Sequence, residues 1–212
     1  MTNPPKALAF AIALASLGCS PLAPRQDYSK FYVLTPLSDG ASPAPISATS
    51  KLSLGVGPID FPDYLKRHGV VTRTASNQID VSPVDFWGGA LDDNFQRVLS
   101  QNLGQLLQTD RLEEYPWPRQ TPVDYQIVIA VERFETAADG QAHLNARWII
   151  KDGSTGADLY ASDTVAAASV GADAGSAAAA LSQNLGTLSS DIATRIGTLS
   201  EHSRSASAAS QD

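Results

Sequence analysis

The feature that most constrains this chain is a short apolar run, Ala7 to Leu17, broken by Ser16 alone and followed by Gly18 and Cys19. A bilayer-spanning helix needs roughly 20 apolar residues, so this run is too short to be one. With Lys6 as the basic residue ahead of it, it reads as the hydrophobic part of an export signal. Cys19 is also the chain's only cysteine. No disulfide framework can therefore staple an exported domain of this sequence, and its fold must rest on a hydrophobic core of its own.

The cysteine directly after small Gly18 resembles the processing site of bacterial lipoproteins, in which cysteine becomes the first mature residue and carries acyl chains on its sulfur and amino group. Cys19 is the expected lipidation site. The alternative is an incidental cysteine in an ordinary signal or a short anchor helix. Two or three chains, at about 0.8 kcal/mol per buried CH₂, anchor stably where one holds only marginally. Ser20 follows the cysteine where lipoproteins retained at the inner membrane carry aspartate, so an outer-membrane position facing the periplasm is expected. Residues 1–18 are then a signal peptide, and 19–28 are the lipidated cysteine and a tether containing Pro21 and Pro24. Residues 29–200 form one domain, and 201–212 are a small, polar tail expected to be disordered.

The net charge of −7 and a pI near 4.8 carry no basic stripe for nucleic acid, and they rule out a polybasic grip on anionic lipid. His68, His143 and His202 lie scattered, so no metal cluster or cofactor site is expected.

Within the domain, "KFYVLTP" alternates as a strand, with Phe31, Val33 and Thr35 on one face and Tyr32 and Leu34 on the other. A Pro, Ser and Ala-rich loop follows to Ser50. In "KLSLGVGPI" Leu52, Leu54 and Val56 share a face opposite small Ser53 and Gly55, which predicts close packing by another element on the small side. Val70 to Pro83 reads as a hairpin around Ala75–Asn77. Ser82 to Asp85 has the S-x-x-D form of a helix start with Pro83 in its first turn. From there Trp87, Leu91, Phe95, Val98, Leu99, Asn102 and Leu106 predict one helix stripe ending near Gln108. "DYQIVIAVERFE" is apolar on both faces, as a central strand should be, and "HLNARWII" and "LYASDTVAAASV" follow as antiparallel partners. Leu181, Leu185, Leu188, Ile192, Ile196 and Leu199 mark a second amphipathic helix. The expected fold is α+β, a mostly antiparallel sheet with two helices on one face, the repetition hinting at two related halves.

No nucleophile elbow, phosphate loop or acid–base pair stands out, so the chain reads as a non-enzyme. Tyr115, Pro116, Trp117 and Pro118 form an aromatic turn expected to cap an edge of the core, the alternative being a contact site.

Together "FYVLTP", "LGVGPIDFPDYLKRHGVVTR", "WGGALDDNFQRVLSQNLGQLL", "YPWP", "DYQIVIAVERFE" and "LNARWII" resemble the PqiC (YmbA-like) family of ABC-type transport auxiliary lipoproteins, over nearly all of residues 30 to 200. The resemblance implies an auxiliary subunit of a Pqi-type lipid transport system that docks a periplasm-spanning MCE-domain protein, and through it an inner-membrane partner, to the outer membrane. It further implies a homo-oligomer, with a ring as one form. Pro62, Tyr64, Leu65 and Arg67 become candidates for a partner contact. The alternative for them is that Tyr64 and Leu65 pack a core edge while Arg67 is solvated. The competing function is a periplasmic carrier enclosing lipid in an apolar groove.

Overall fold

The computed structural model describes residues 27–37, 52–118 and 121–209, with side chains to 205. The expected signal peptide, Cys19 and most of the Pro36–Ser50 loop lie outside the described residues. The elements are β1 (Lys30–Tyr32), β2 (Leu54–Asp60), β3 (Gly69–Ala75), β4 (Gln78–Trp87), α1 (Leu91–Leu107), β5 (Leu112–Glu114), β6 (Tyr125–Ala137), β7 (Gln141–Asp152), β8 (Asp158–Ser169) and α2 (Ala174–Ala209).

All eight strands join one mixed sheet centred on β6. On one side β6, β7 and β8 form a long antiparallel ribbon, paired almost residue for residue from Tyr125↔Asp152 to Thr136↔Ala142 and on to β8. On the other side the sheet divides into two branches. β2 runs parallel to the first half of β6 and carries β5 beyond it, while β3 meets the end of β6 at Thr136 and Ala137 and carries β4 and β1.

The helices pack as their sequence periods predict. Leu91, Phe95, Val98, Leu99 and Leu106 of α1 are buried, as are Leu181, Leu185, Leu188, Ile192 and Ile196 of α2. Burying one such side chain stabilises by about 1.5–3 kcal/mol, so these two stripes are the main force seating the helices on the sheet. Asn102 sits in the α1 stripe for a polar reason. Its Oδ1 accepts the Leu37 N–H at 2.8 Å and its Nδ2 donates to Ser189 of α2 at 3.0 Å. Leu34 N–H likewise donates to Asn94 and Thr35 N–H to Ser182. Residues 33–37 are thus a strap across both helices, and the Leu37 side chain lies close over Gly186, where an added Cβ would come within 2.7 Å of its Cδ2 and make the leucine shift.

Four expectations need correction. The strand expected from Lys30 to Pro36 is shorter: its ladder ends at Tyr32 and the strap takes over, with Phe31 and Val33 exposed and Leu34 buried. Ser82 to Asp85 is not a helix start. The Ser82 hydroxyl does accept the Asp85 N–H at 3.0 Å, but this local turn makes an irregularity inside β4, where Pro83 has no ladder bond to lose. Trp87 accordingly ends β4, and α1 begins at Leu91 after Ala90 with no side-chain cap. Finally, α2 does not stop near Leu199 but continues to Ala209, through most of the segment expected to be disordered; Ser203 and Ser205 hydroxyls bond back to the carbonyls of Leu199 and Glu201.

Candidate functional site where the sheet divides

Between β2 and β3 the chain leaves the edge of β6 and returns. Phe61 turns into the core, Pro62 supplies no donor, and Asp63–Leu65 form one 3-10 turn closed by Leu65 N–H to the Pro62 carbonyl at 3.0 Å. The excursion faces an irregularity in β6 itself, between Val131 and Arg133. There Phe134 points into the core and joins Phe61 and Phe95 in an edge-to-face trio with centroids 5.0, 5.1 and 6.2 Å apart. Such pairs add about 0.5–1.5 kcal/mol each beyond area burial, enough to fix where the excursion leaves the sheet.

The next residue, Glu135, is fully enclosed. Its Oε1 accepts from Arg73 Nε at 2.8 Å and Arg133 Nε at 2.9 Å, and its Oε2 accepts from the Tyr64 hydroxyl at 2.8 Å and the Phe134 N–H at 3.2 Å. The Arg73 guanidinium also lies 5.5 Å from the Tyr64 ring centroid. Burial pushes the Glu135 carboxyl up, but the hydrogen bonds from Arg73, Arg133 and Tyr64 outweigh it and hold the group below the usual carboxylate range. Burial, then the bond to Glu135, raises the Tyr64 hydroxyl, and the same carboxylate raises Arg73. The cluster is therefore an ionised clamp joining the excursion, β3 and β6. With its carboxylate closed off by four donors, Glu135 is placed to hold structure rather than to exchange protons.

The predicted site residues divide by role. Leu65 is buried in the core, Tyr64 is half-buried on Glu135, and Pro62 closes the 3-10 turn. Arg67 is exposed at the tip with Lys66 and His68, and Lys66 is 3.7 Å from Asp63. The excursion thus presents a basic tip on an acidic protein. Glu135, Arg73 and Arg133 were not picked out from sequence. Their signal is the charged R-F-E ending of an otherwise apolar strand, since a glutamate inside a central strand is buried only when paired.

The aromatic turn lies on β2. Trp117 covers Gly55, where an added Cβ would lie 2.8 Å from the ring, and Tyr115 stands edge-on to Trp117 with centroids 5.6 Å apart. Gln96 of α1 donates to the Tyr115 carbonyl at 2.8 Å, fastening the turn to the helix. This is the element the small face of β2 calls for, and it caps the core edge.

The model of the ABC-type transport auxiliary lipoprotein component family matches residues 32–193, most of the chain. The chain belongs to that family. The match runs from β1 through the excursion and the clamp into α2. Among solved structures, protein XCC0632 from Xanthomonas campestris, of family DUF330, is 16% identical with a TM-score of 0.66, covering 82% of this chain and 99% of its own. A protein described as uncharacterized is 21% identical with a TM-score of 0.63, covering 79% and 99%. Both share the fold of the auxiliary lipoprotein domain. No curated protein matches this chain.

Proposed function

We propose that this auxiliary lipoprotein is a lipid-anchored, non-catalytic subunit of a Pqi-type transport system. It sits at the outer membrane through acyl chains on Cys19 and docks the periplasm-spanning MCE-domain protein, itself joined to an inner-membrane partner. The observation that carries this reading is the family match over residues 32–193, since that family is one of transport auxiliaries rather than enzymes. The clamp supports it further. A turn fixed by an aromatic trio and an ionised cluster costs little entropy to dock, and its exposed Lys66 and Arg67 suit an acidic partner edge. A homo-oligomer, such as a ring, would repeat that tip around one axis for a symmetric partner.

The space between helices and sheet favours docking over lipid carriage, because Phe95, Phe134, Leu99, Leu103, Ile127, Ile129 and Leu144 fill it and each is fully buried. Mild cross-linking in the native envelope followed by purification should recover the MCE-domain protein with the wild-type chain. Recovery of no such partner would count against the reading, and stoichiometric phospholipid on chain extracted without detergent would favour the carrier. Cys19→Ser should leave the precursor unprocessed and unlipidated. Unchanged membrane fractionation of that variant would contradict the anchor.

A further inference from the structure

Exposed apolar side chains are unevenly spread over the molecule. Of the eight exposed large hydrophobic residues among those described, five (Tyr28, Phe31, Val33, Val81 and Val84) lie at the start of the domain or on β4 beside it. Tyr28, Phe31 and Val33 are 67%, 69% and 52% exposed, far above what a strand next to a packed core requires. Parallel pairing sets Phe31 opposite Phe86, and their rings meet with centroids 5.8 Å apart. Val33 follows Phe31 by two places just past the end of β1, and Val84 precedes Phe86 by two within the Ser82–Asp85 turn; both side chains are exposed beside this ring pair. Tyr32, Asp85 and Trp87 alternate to the other side, where the Tyr32 hydroxyl donates to Asp85 and Trp87 is buried. One apolar face therefore stands on the outermost strands of the β3–β4–β1 branch.

Its place along the chain says what covers it. Tyr28 is nine positions after Cys19, and at about 3.3–3.6 Å per residue that stretch reaches at most roughly 30 Å. The patch is the first described surface met from the anchor. An acidic chain has no general attraction for anionic headgroups, so contact with lipid here must come from apolar and aromatic side chains, and tyrosine and phenylalanine suit the headgroup boundary. We propose that Phe31, Phe86, Val33 and Val84, with Tyr28 at their margin, seat on the phospholipid surface that holds the acyl chains of Cys19. The contact fixes the orientation of the domain instead of leaving it free on its tether. This rests on lipidation at Cys19.

The test uses the full lipidated chain in phosphatidylethanolamine–phosphatidylglycerol vesicles. With Cys19 consumed by lipid, Phe31→Cys introduces a single reactive thiol for an environment-sensitive fluorophore, and Val84→Cys repeats the test from β4. Thr155→Cys serves as control; it is exposed in the turn after Asp152, at the opposite end of β6 from Thr136 and β3. The expected result is a blue-shifted label at 31 and 84, quenched by spin-labelled phospholipid and shielded from aqueous iodide, with the label at 155 showing the reverse. Labels at 31 and 84 as open to iodide as at 155 would overturn the seating while leaving the anchor standing. Shielding from iodide without quenching by lipid would also overturn it and assign the patch to a protein surface, such as a second copy. A chain that fails to float with the vesicles would contradict the anchor itself and the seating with it.

Discussion

The two sides of β6 are built by opposite means. Toward β7 and β8 the ladders run through with one register shift each, between Val131 and Arg133 and between Ile150 and Lys151, and their turns are local affairs. In the β7–β8 turn the Asp152 carboxylate accepts from the Ser154 hydroxyl and the Thr155 N–H and hydroxyl, which hold it down to about 2. Toward β2 and β3 the ladder breaks, an eight-residue excursion from Phe61 to His68 takes its place, and a buried ion cluster replaces the missing pairing. Regular pairing makes a scaffold that any apolar sequence of the right period can supply. The break is what presents a tip to solvent, and it needs particular side chains to hold it.

The sharpest way to break this contrast is Glu135→Ala. Removing one member of a buried ion cluster costs about 3–5 kcal/mol; Arg73 and Arg133 here are 24% and 30% exposed and can regain water, which places the loss near the low end. Chemical denaturation measures it. The same carboxylate sets an acid dependence. Its folded pKa lies below the unfolded value, so its contribution is present above about pH 4.5 and is lost as pH falls through the folded value. Wild type should therefore lose more stability than Glu135→Gln on going from pH 6 to about pH 3, by titration of the unfolding midpoint.

Two glycines differ between the same two sides. Gly57 on β2 has φ +116° and Tyr115 Cβ would lie 2.7 Å from an added methyl, whereas Gly140 in the β6–β7 turn has φ +76° with open space around it. Gly140→Ala should cost about 1–2 kcal/mol from backbone strain alone, and Gly57→Ala more, in thermal melts run side by side. Tyr64→Phe deletes one hydrogen bond to the ionised Glu135 while keeping the ring, so about 1.5 kcal/mol is expected. Smallest of all is Arg147→Ala on the regular side. Its 3.1 Å pair with Asp163 has both side chains about 60% exposed, and a change within about 0.5 kcal/mol is expected.

What was legible in the sequence follows the same division. The β6–β7–β8 ribbon and both helix stripes could be read because each depends on a local period, 2.0 or 3.6, that side-chain hydrophobicity reports directly. The excursion was visible only as a motif, since Pro62, Tyr64, Leu65 and Arg67 sit together without saying which points where. Glu135 was hidden because two of its partners, Arg73 and Tyr64, are 62 and 71 residues away, a distance no local pattern spans. Ser82–Asp85 misled for a related reason. The same hydroxyl-to-amide bond that opens a helix also shapes an irregular strand, and the surrounding sheet decides between them.

On the proposed function, the break in the sheet rather than the regular ribbon carries recognition. The most direct measurement is photo-cross-linking in living envelopes with benzoylphenylalanine placed at Arg67 or, in a separate chain, at Arg147. An adduct with the MCE-domain protein is expected from position 67 and none from position 147. An adduct from 147 with none from 67 would contradict it.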